Sequence, residues 1–434
     1  MDTGFTRTHH HLYLITGVGL SVMFSFIAVV SFYPILTYTV PQPLDISPVS
    51  QIQLHPIEPM EDIELAVFAT PDPPAGKLAS IVFDTEDEFI EETDSVRLVF
   101  GGDVDEGRWG DNPDWHFPLV DSFVNLLPLF RDTDLVLFNA EGGLCDPLND
   151  GVVLEPRGSN ILWVTPASLI DLQSELDDTM LVINQANNHT MNLGESCMQY
   201  GTTRLSDAGI AVLGVGENLD AAREPFIVEI NGTVIGILAY ADTNVIIDAW
   251  VANSEHSGVS PMDPFILEED MQAVRPEVDF LIVTFHSGKE FERAVTQNQV
   301  EFALAAVRLG ADLVVGHGSH VPQGVIEVDN TPIYFGLGNG MMDQCFPEDY
   351  AFYSHDVRKN VWLEVEIKKS ELISAHPHIF YSTKCMVPNV APPLIDAEVV
   401  HAFENIVFMD DLSMLSYFDI DGIVKEVFSD NLAD

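Results

Sequence analysis

The chain has 434 residues and is 47% hydrophobic, enough to bury a core in one large domain or two, which excludes wholesale disorder. Acidic residues number 68 against 18 lysines and arginines, for a formal charge of -50. Such a surface repels phosphate backbones, which excludes nucleic acid as a partner, and it attracts cations. Adaptation to a salty medium accounts for this acidity as well as a cation site does, because a metal site needs only a few carboxylates.

From Thr8 to Leu44 there is no Asp, Glu, Lys or Arg. Within that window, Leu12 to Leu36 is long enough to cross a bilayer core of about 30 Å. A retained single-pass anchor is favoured over a cleaved signal peptide, since the apolar run is long and no A-x-A-like site follows it. Arg7 is the only basic residue before it, which places the N-terminus inside and the body outside the cell membrane. Eight prolines between Pro41 and Pro74, and the acidic run "DTEDEFIEETD", mark a solvated spacer. The reading is an anchor over 1–36, a linker over 37–94, a body over 95–370 and a C-terminal extension over 371–434 that the pattern does not assign.

In the body, short apolar runs alternate with amphipathic stretches. Strands are expected at Arg97–Gly102, Leu135–Asn139, Met180–Asn184, Ala211–Val215, Phe226–Ile230, Val234–Tyr240, Phe280–Phe285, Leu313–Gly316, Gly324–Val328, Ile333–Gly336 and Val361–Ile367. Helices are expected at Pro118–Phe130, Pro166–Leu176, Glu195–Ala208, Pro264–Val274 and Thr296–Leu309. This alternation predicts an α/β fold, and Asn231-Gly232 between two apolar runs predicts a hairpin in a mixed sheet. The cysteines Cys145, Cys197, Cys345 and Cys385 show no CxxC spacing, which argues against a zinc ribbon. Disulfides and free buried thiols are both compatible with them.

Polar residues gather just past the apolar strands. Asp103 follows "RLVFGG", Glu141 follows "LVLFNA", Asn187-Asn188-His189 follows "LVINQA", His286 follows "FLIVTF", and His317 and His320 follow "DLVVG". In open α/β sheets, ligands collect outside the carboxyl ends of strands. One Asp after a strand is usually a turn or a cap; five strands that each deliver a metal-capable group are harder to explain that way. Two carboxylates, an amide oxygen and three imidazoles suit Mn, Fe or Zn better than Ca. Six ligands exceed the need of one tetrahedral ion and suffice for two ions about 3.5–4 Å apart. Arg108 is a candidate oxyanion clamp. Asp105, Glu106, Glu290, Asn339 and Asp343 are candidates for supporting roles. Trp109 and Trp163 read as packing residues.

The ordered set "GDVDEGR", "NAEGGL", "NNHTMNLG", "LSDAGIAVLGVGEN", "HSGKEF", "GADLVVGHGSHVPQ" and "IYFGLGN" resembles the poly-γ-glutamate capsule biosynthesis (CapA-type) family, itself similar to calcineurin-like metallophosphoesterases. The likeness runs from about Val96 to Ile367. It implies a four-layer α/β/β/α sandwich with a two-metal site at one sheet edge. It assigns ligand roles to Asp103, Glu141, Asn188, His286, His317 and His320. It makes His189 the histidine near the leaving group, a candidate general acid, and matches Arg108 to the family's arginine. The chain departs from the pattern at Ser287, where the family usually has Trp, at Asn192, where it has Asp, and at Gly318, where a second His is common.

The expected function is a membrane-anchored, extracytoplasmic, metal-dependent protein of capsule polymer biosynthesis with a hydrolase-like site. Its expected partners are the membrane, subunits of a membrane polymer synthase, and an anionic polymer or phosphoester substrate. Two rivals stand beside it, a non-catalytic polymer-export or synthase partner and a secreted 5'-nucleotidase-like phosphatase.

Overall fold

The computed structural model describes residues 81–82, 94–108, 118–158, 160–243, 250–342, 344, 355–384, 387–390 and 407–408. All lie in one compact unit, Asp72–Asp434. The expected anchor and most of the expected linker fall outside the described residues. Among those described, no helix is long and apolar enough to cross a membrane.

Two mixed sheets form the frame. The first runs in the order Ile81–Val82, Glu371–Lys384, Lys359–Lys368, Val96–Val104, Leu135–Ala140, Met180–Asn184, Ala211–Leu213. Its last four strands are mutually parallel, and Asn339–Met341 joins the carboxyl end of Val96–Val104. The second runs Val325–Val328, Thr331–Tyr334, Leu313–His317, Phe280–His286, Thr233–Ala241, Phe226–Ile230. Its four central strands are parallel and each edge is a hairpin. At one edge Asn231 (φ 48°) and Gly232 (φ 75°) make the two-residue turn, both in the left-handed region that a type I′ hairpin needs.

Alternation along the strands sets the layers. Leu98, Phe100, Leu135 and Leu137 of the first sheet meet Ile235, Ile237, Ile282, Leu313 and Val315 of the second in a shared apolar core. Their neighbours Val99, Val136 and Phe138 face outward against Phe123, Phe130, Leu169 and Leu205 from helical segments. On the far side Leu238, Leu281 and Val283 pack on Leu267, Met271, Val300 and Val307. The order is therefore helix, sheet, sheet, helix. Buried strands on both faces explain why the sequence shows near-continuous apolar runs there.

The helices at Pro166–Ser174, Glu195–Asp207, Pro264–Val274 and Gln297–Arg308 lie where periodicity puts them. The last opens with a capping box between Thr296 and Gln299. The single helix expected over Pro118–Phe130 is instead two short ones, Leu119–Ser122 and Leu127–Arg131. Pro128 lies in the first turn of the second, where its missing N–H is tolerated, and would break a continuous helix. The sheet also runs past residue 370, since Glu371–Lys384 pairs along the whole of Lys359–Lys368.

Candidate metal centre

The parallel strands of both sheets end on the same side of the sandwich, and their last residues converge. Asp103 is the penultimate residue of Val96–Val104, Glu141 follows Leu135–Ala140, and His286 and His317 close adjacent strands in direct register. Asp103, Glu141, His286 and His317 are all at most 2% exposed, as is His320. Asp103, Glu141 and His286 each offer a ligand atom within 4.8 Å of the others, a spacing that could hold a metal ion.

Glu141 is the centre of the arrangement. Its Oε1 stands 3.7 Å from His189 Nε2 and 3.9 Å from His286 Nε2, and its Oε2 stands 3.8 Å from His320 Nδ1. Those separations exceed a hydrogen bond, and both oxygens lack a hydrogen-bond partner among the described residues. Both ring nitrogens of His317 and the Asn188 Oδ1 are buried in the same condition. A buried polar atom without a partner costs about 1–3 kcal/mol, and a divalent ion would satisfy several at once. The donor set fits such an ion on chemical grounds too, since mixed carboxylate and imidazole ligands suit transition metals.

Burial and the two carboxylates pull in opposite directions here. Burial pushes the Glu141 carboxyl well above its ordinary range, with the Asp103 and Glu290 charges adding to the rise and His320 and Arg108 opposing it. Burial alone would raise Asp103 too, but the His320 hydrogen bond and the charges of His286, His320 and His317 outweigh it and hold that carboxyl well below the usual range. Burial takes His286 down to about 3 and His317 down to about 4. It also opposes charge on His320, yet Glu141 and Asp103 prevail and push that imidazole up to about 10. Without an ion His320 therefore keeps its proton beside Asp103, while His286 and His317 stay neutral and available as ligands; ligation through His320 requires an ion to displace that proton.

Asn139 ties the two sheets together, a role the sequence reading did not single out. Its Nδ2 donates to Asp103 Oδ1 at 2.8 Å and lies 3.1 Å from His286 Nδ1, while its Oδ1 accepts from Asn187 Nδ2 at 3.1 Å. The available signal was a polar residue inside the otherwise apolar strand "LVLFNA". Gly318 (φ 97°) donates its N–H to Asp103 Oδ2 at 3.0 Å, a conformation that favours glycine. Asn339 Oδ1 lies 3.0 Å from His320 Nδ1.

Asn187 explains the turn after Met180–Asn184. Its Oδ1 accepts from the His189 N–H and from Thr190 Oγ1, both at 3.0 Å, as in an Asx turn. The turn aims His189 Nε2 at Glu141. Its other nitrogen, Nδ1, lies 2.7 Å from Asn192 Oδ1, and Asn192 Nδ2 donates to Arg157 O at 3.1 Å. The amide orientation therefore places a proton on His189 Nδ1. Burial holds this imidazole below its ordinary value, so the neutral ring presents a lone pair at Nε2. Proton donation from Nε2 requires the imidazolium.

Arg108 lies in the short strand Gly107–Arg108, paired with Leu162–Trp163, and its charge acts on Glu141 and His189. Glu290 is exposed at the rim and acts on Glu141, His189 and His320. Glu106 is a buried structural carboxylate that accepts the Thr165 N–H beside a helix start. Trp163 packs over Gly107. Asp343 and Trp109 lie outside the described residues.

Residues 97–344 match the family model described as bacterial capsule synthesis protein PGA_cap. The chain belongs to this family. Relatives of this PGA_cap chain include the PGA biosynthesis protein CapA of Bacillus subtilis, 26% identical over 287 residues that cover 65% of this chain and 73% of that one. Another is the capsule biosynthesis protein CapA of Bacillus anthracis, 25% identical over 62% of this chain and 66% of that protein. Solved structures with distant likeness include a putative 5'-nucleotidase from Staphylococcus aureus (12% identity, TM-score 0.42, 70% of this chain and 58% of that one). A calcineurin-like phosphoesterase from Bacillus subtilis is similar at 12% identity and TM-score 0.37, over 71% of this chain and 98% of that one.

Proposed function

We propose that this PGA_cap chain is a membrane-anchored, extracytoplasmic protein of poly-γ-glutamate capsule biosynthesis with a hydrolytic site that holds two divalent ions, of Mn, Fe or Zn type. The observation that carries the reading is the Glu141 carboxylate, buried without a hydrogen-bond partner among the described residues and ringed by three imidazoles at 3.7–3.9 Å. Asp103, Glu141, Asn188, His286, His317 and His320 would hold the ions, which would supply Lewis acidity toward a phosphoryl or acyl oxygen. His189 holds or moves a proton at Nε2, oriented from behind by Asn192. Arg108 steadies an anionic group of the substrate. The Cys145–Cys197 disulfide supports a location in an oxidising compartment, in keeping with the anchored orientation read from the N-terminus. Subunits of a membrane polymer synthase are the partners this reading implies.

The test is hydrolysis by the full-length protein with Mn²⁺, set beside His317→Ala, on phosphodiesters, nucleotides and γ-glutamyl polymer. Polymer cleavage that the substitution abolishes is the expected result. Turnover confined to nucleotides would favour a phosphatase outside capsule synthesis. If metal is bound but nothing is turned over, and capsule is nonetheless lost with a His317→Ala/His320→Ala pair, the chain is a non-catalytic partner.

A further inference from the structure

Glu141 and His189 stand on different loops, and one covalent bond joins the segments that follow them. Cys145 lies four residues after Glu141, and Cys197 lies in the first turn of Glu195–Asp207, the helix that follows the His189 turn. The two cysteines pack with Ile161 and Leu193 in a small apolar cluster of their own, separate from the three large cores. The same neighbourhood is laced by Gly143 N–H to Leu162 O (3.0 Å) and Leu162 N–H to Asn192 Oδ1 (3.2 Å), the amide oxygen that also orients His189. Packing across the bond is close. A Cβ on Gly143 would sit 3.2 Å from Cys197 Sγ, and one on Gly201 would sit 2.1 Å from Leu144 O.

We propose that the Cys145–Cys197 disulfide is a clamp on the metal centre, so that the centre reaches full metal affinity only after oxidation of this pair. Oxidation joins the two thiol sulfurs with loss of two protons and two electrons to a thiol-oxidising partner, and reduction by an added dithiol reverses it. The four buried residues of that cluster gain only the partly buried Leu154, Trp163 and Tyr200, and the segments' other anchors, Leu144, Met191 and Met198, belong to the large cores, which do not depend on the bond. Breaking the bond therefore removes the direct tie between the segments that follow Glu141 and His189, and loosens their relative placement while the sandwich persists. Thiols stay reduced in a reducing cytosol, so the site would mature only after export. This inference rests on the metal-centre reading above.

The experiment uses full-length protein carrying Cys345→Ala and Cys385→Ala, so that only this pair responds. Mn²⁺ affinity is measured by calorimetry on oxidised, dithiothreitol-reduced and reoxidised protein, with a Cys145→Ala/Cys197→Ala variant alongside, and circular dichroism follows the fold. The expected result is a Kd raised about 10-fold or more in the reduced and variant proteins, within the range seen when groups supporting metal ligands are lost. The fold should be intact, with recovery on reoxidation only where the cysteines remain. Equal affinity in all forms overturns the clamp, and so does global unfolding on reduction, which would make the bond a general staple. No Mn²⁺ binding by the oxidised protein overturns the metal-centre reading itself, and the clamp with it.

Discussion

At the scale of single residues, the cluster sets stability against function. Glu141 is fully buried with no hydrogen bond to either oxygen among the described residues, a condition that favours an ion and disfavours the free carboxylate. Glu141→Gln keeps the shape and removes the charge. Wild-type protein should gain about 2.7 kcal/mol of stability for each Mn²⁺ site filled when Mn²⁺ is raised to about 100 times that site's Kd. The variant should lose most of that gain in thermal melts, and an undiminished metal response would remove Glu141 from the ligand set. Glu106 gives a pH prediction. Burial raises its carboxyl from 4.5 to about 7 in the folded protein, against hydrogen bonds from Ser168 and Thr165. At low pH both folded and unfolded chains keep the proton. As pH rises through that window the unfolded chain ionises first, so stability falls by up to roughly 3 kcal/mol and then levels. Glu106→Gln should therefore stabilise at pH 8 relative to its effect at pH 5. An equal effect at both pH values would mean that Glu106 ionises normally. The carboxylates and histidines of the cluster were legible because they follow apolar strands. Asn139 was not, since one amide in a buried strand looks the same whether it supports a ligand or fills a gap.

At the scale of elements, packing fixes where Asp103 points. Gly101, two residues earlier on the strand, lies opposite Trp362, and a Cβ there would approach the Trp362 ring to 2.2 Å. That ring cannot retreat, because Phe123, Phe130 and Phe138 surround it with ring centroids 5.4, 4.8 and 6.1 Å away. Gly101→Ala should cost about 2–3 kcal/mol in denaturant unfolding, as overpacking of a filled core does. A loss under about 0.5 kcal/mol would refute this packing. Most strands were visible as apolar runs bounded by turns. Glu371–Lys384 was hidden by Pro377 and two histidines, which read as irregular chain. Pro377 is tolerated opposite Leu363 because the other side of the strand is covered only in part, by Ile81–Val82 and Val387–Val390, neither of which pairs with Pro377. The helix expected over Pro118–Phe130 divides for the converse reason, since periodicity continued through Pro128 while hydrogen bonding could not.

For the molecule as a whole, like-charge repulsion governs the behaviour of everything outside the core. With 68 acidic residues against 18 basic ones, self-repulsion opposes the compact state at low ionic strength. The screening length falls from about 30 Å at 0.01 M salt to about 3 Å at 1 M. The melting temperature should rise by several degrees across that range, equally for NaCl and KCl. A flat response would show that the carboxylates are too far apart to repel. The same field would draw divalent cations toward the strand ends, where the two sheets bring Asp103, Glu141 and His286 together. Whether those residues hold metal is tested most directly by elemental analysis of full-length protein after Mn²⁺ loading and desalting. Two equivalents per chain are expected for the wild type and fewer than one for His317→Ala. Absence of stoichiometric metal in the wild type, or the same metal content in both proteins, would contradict metal binding by those residues.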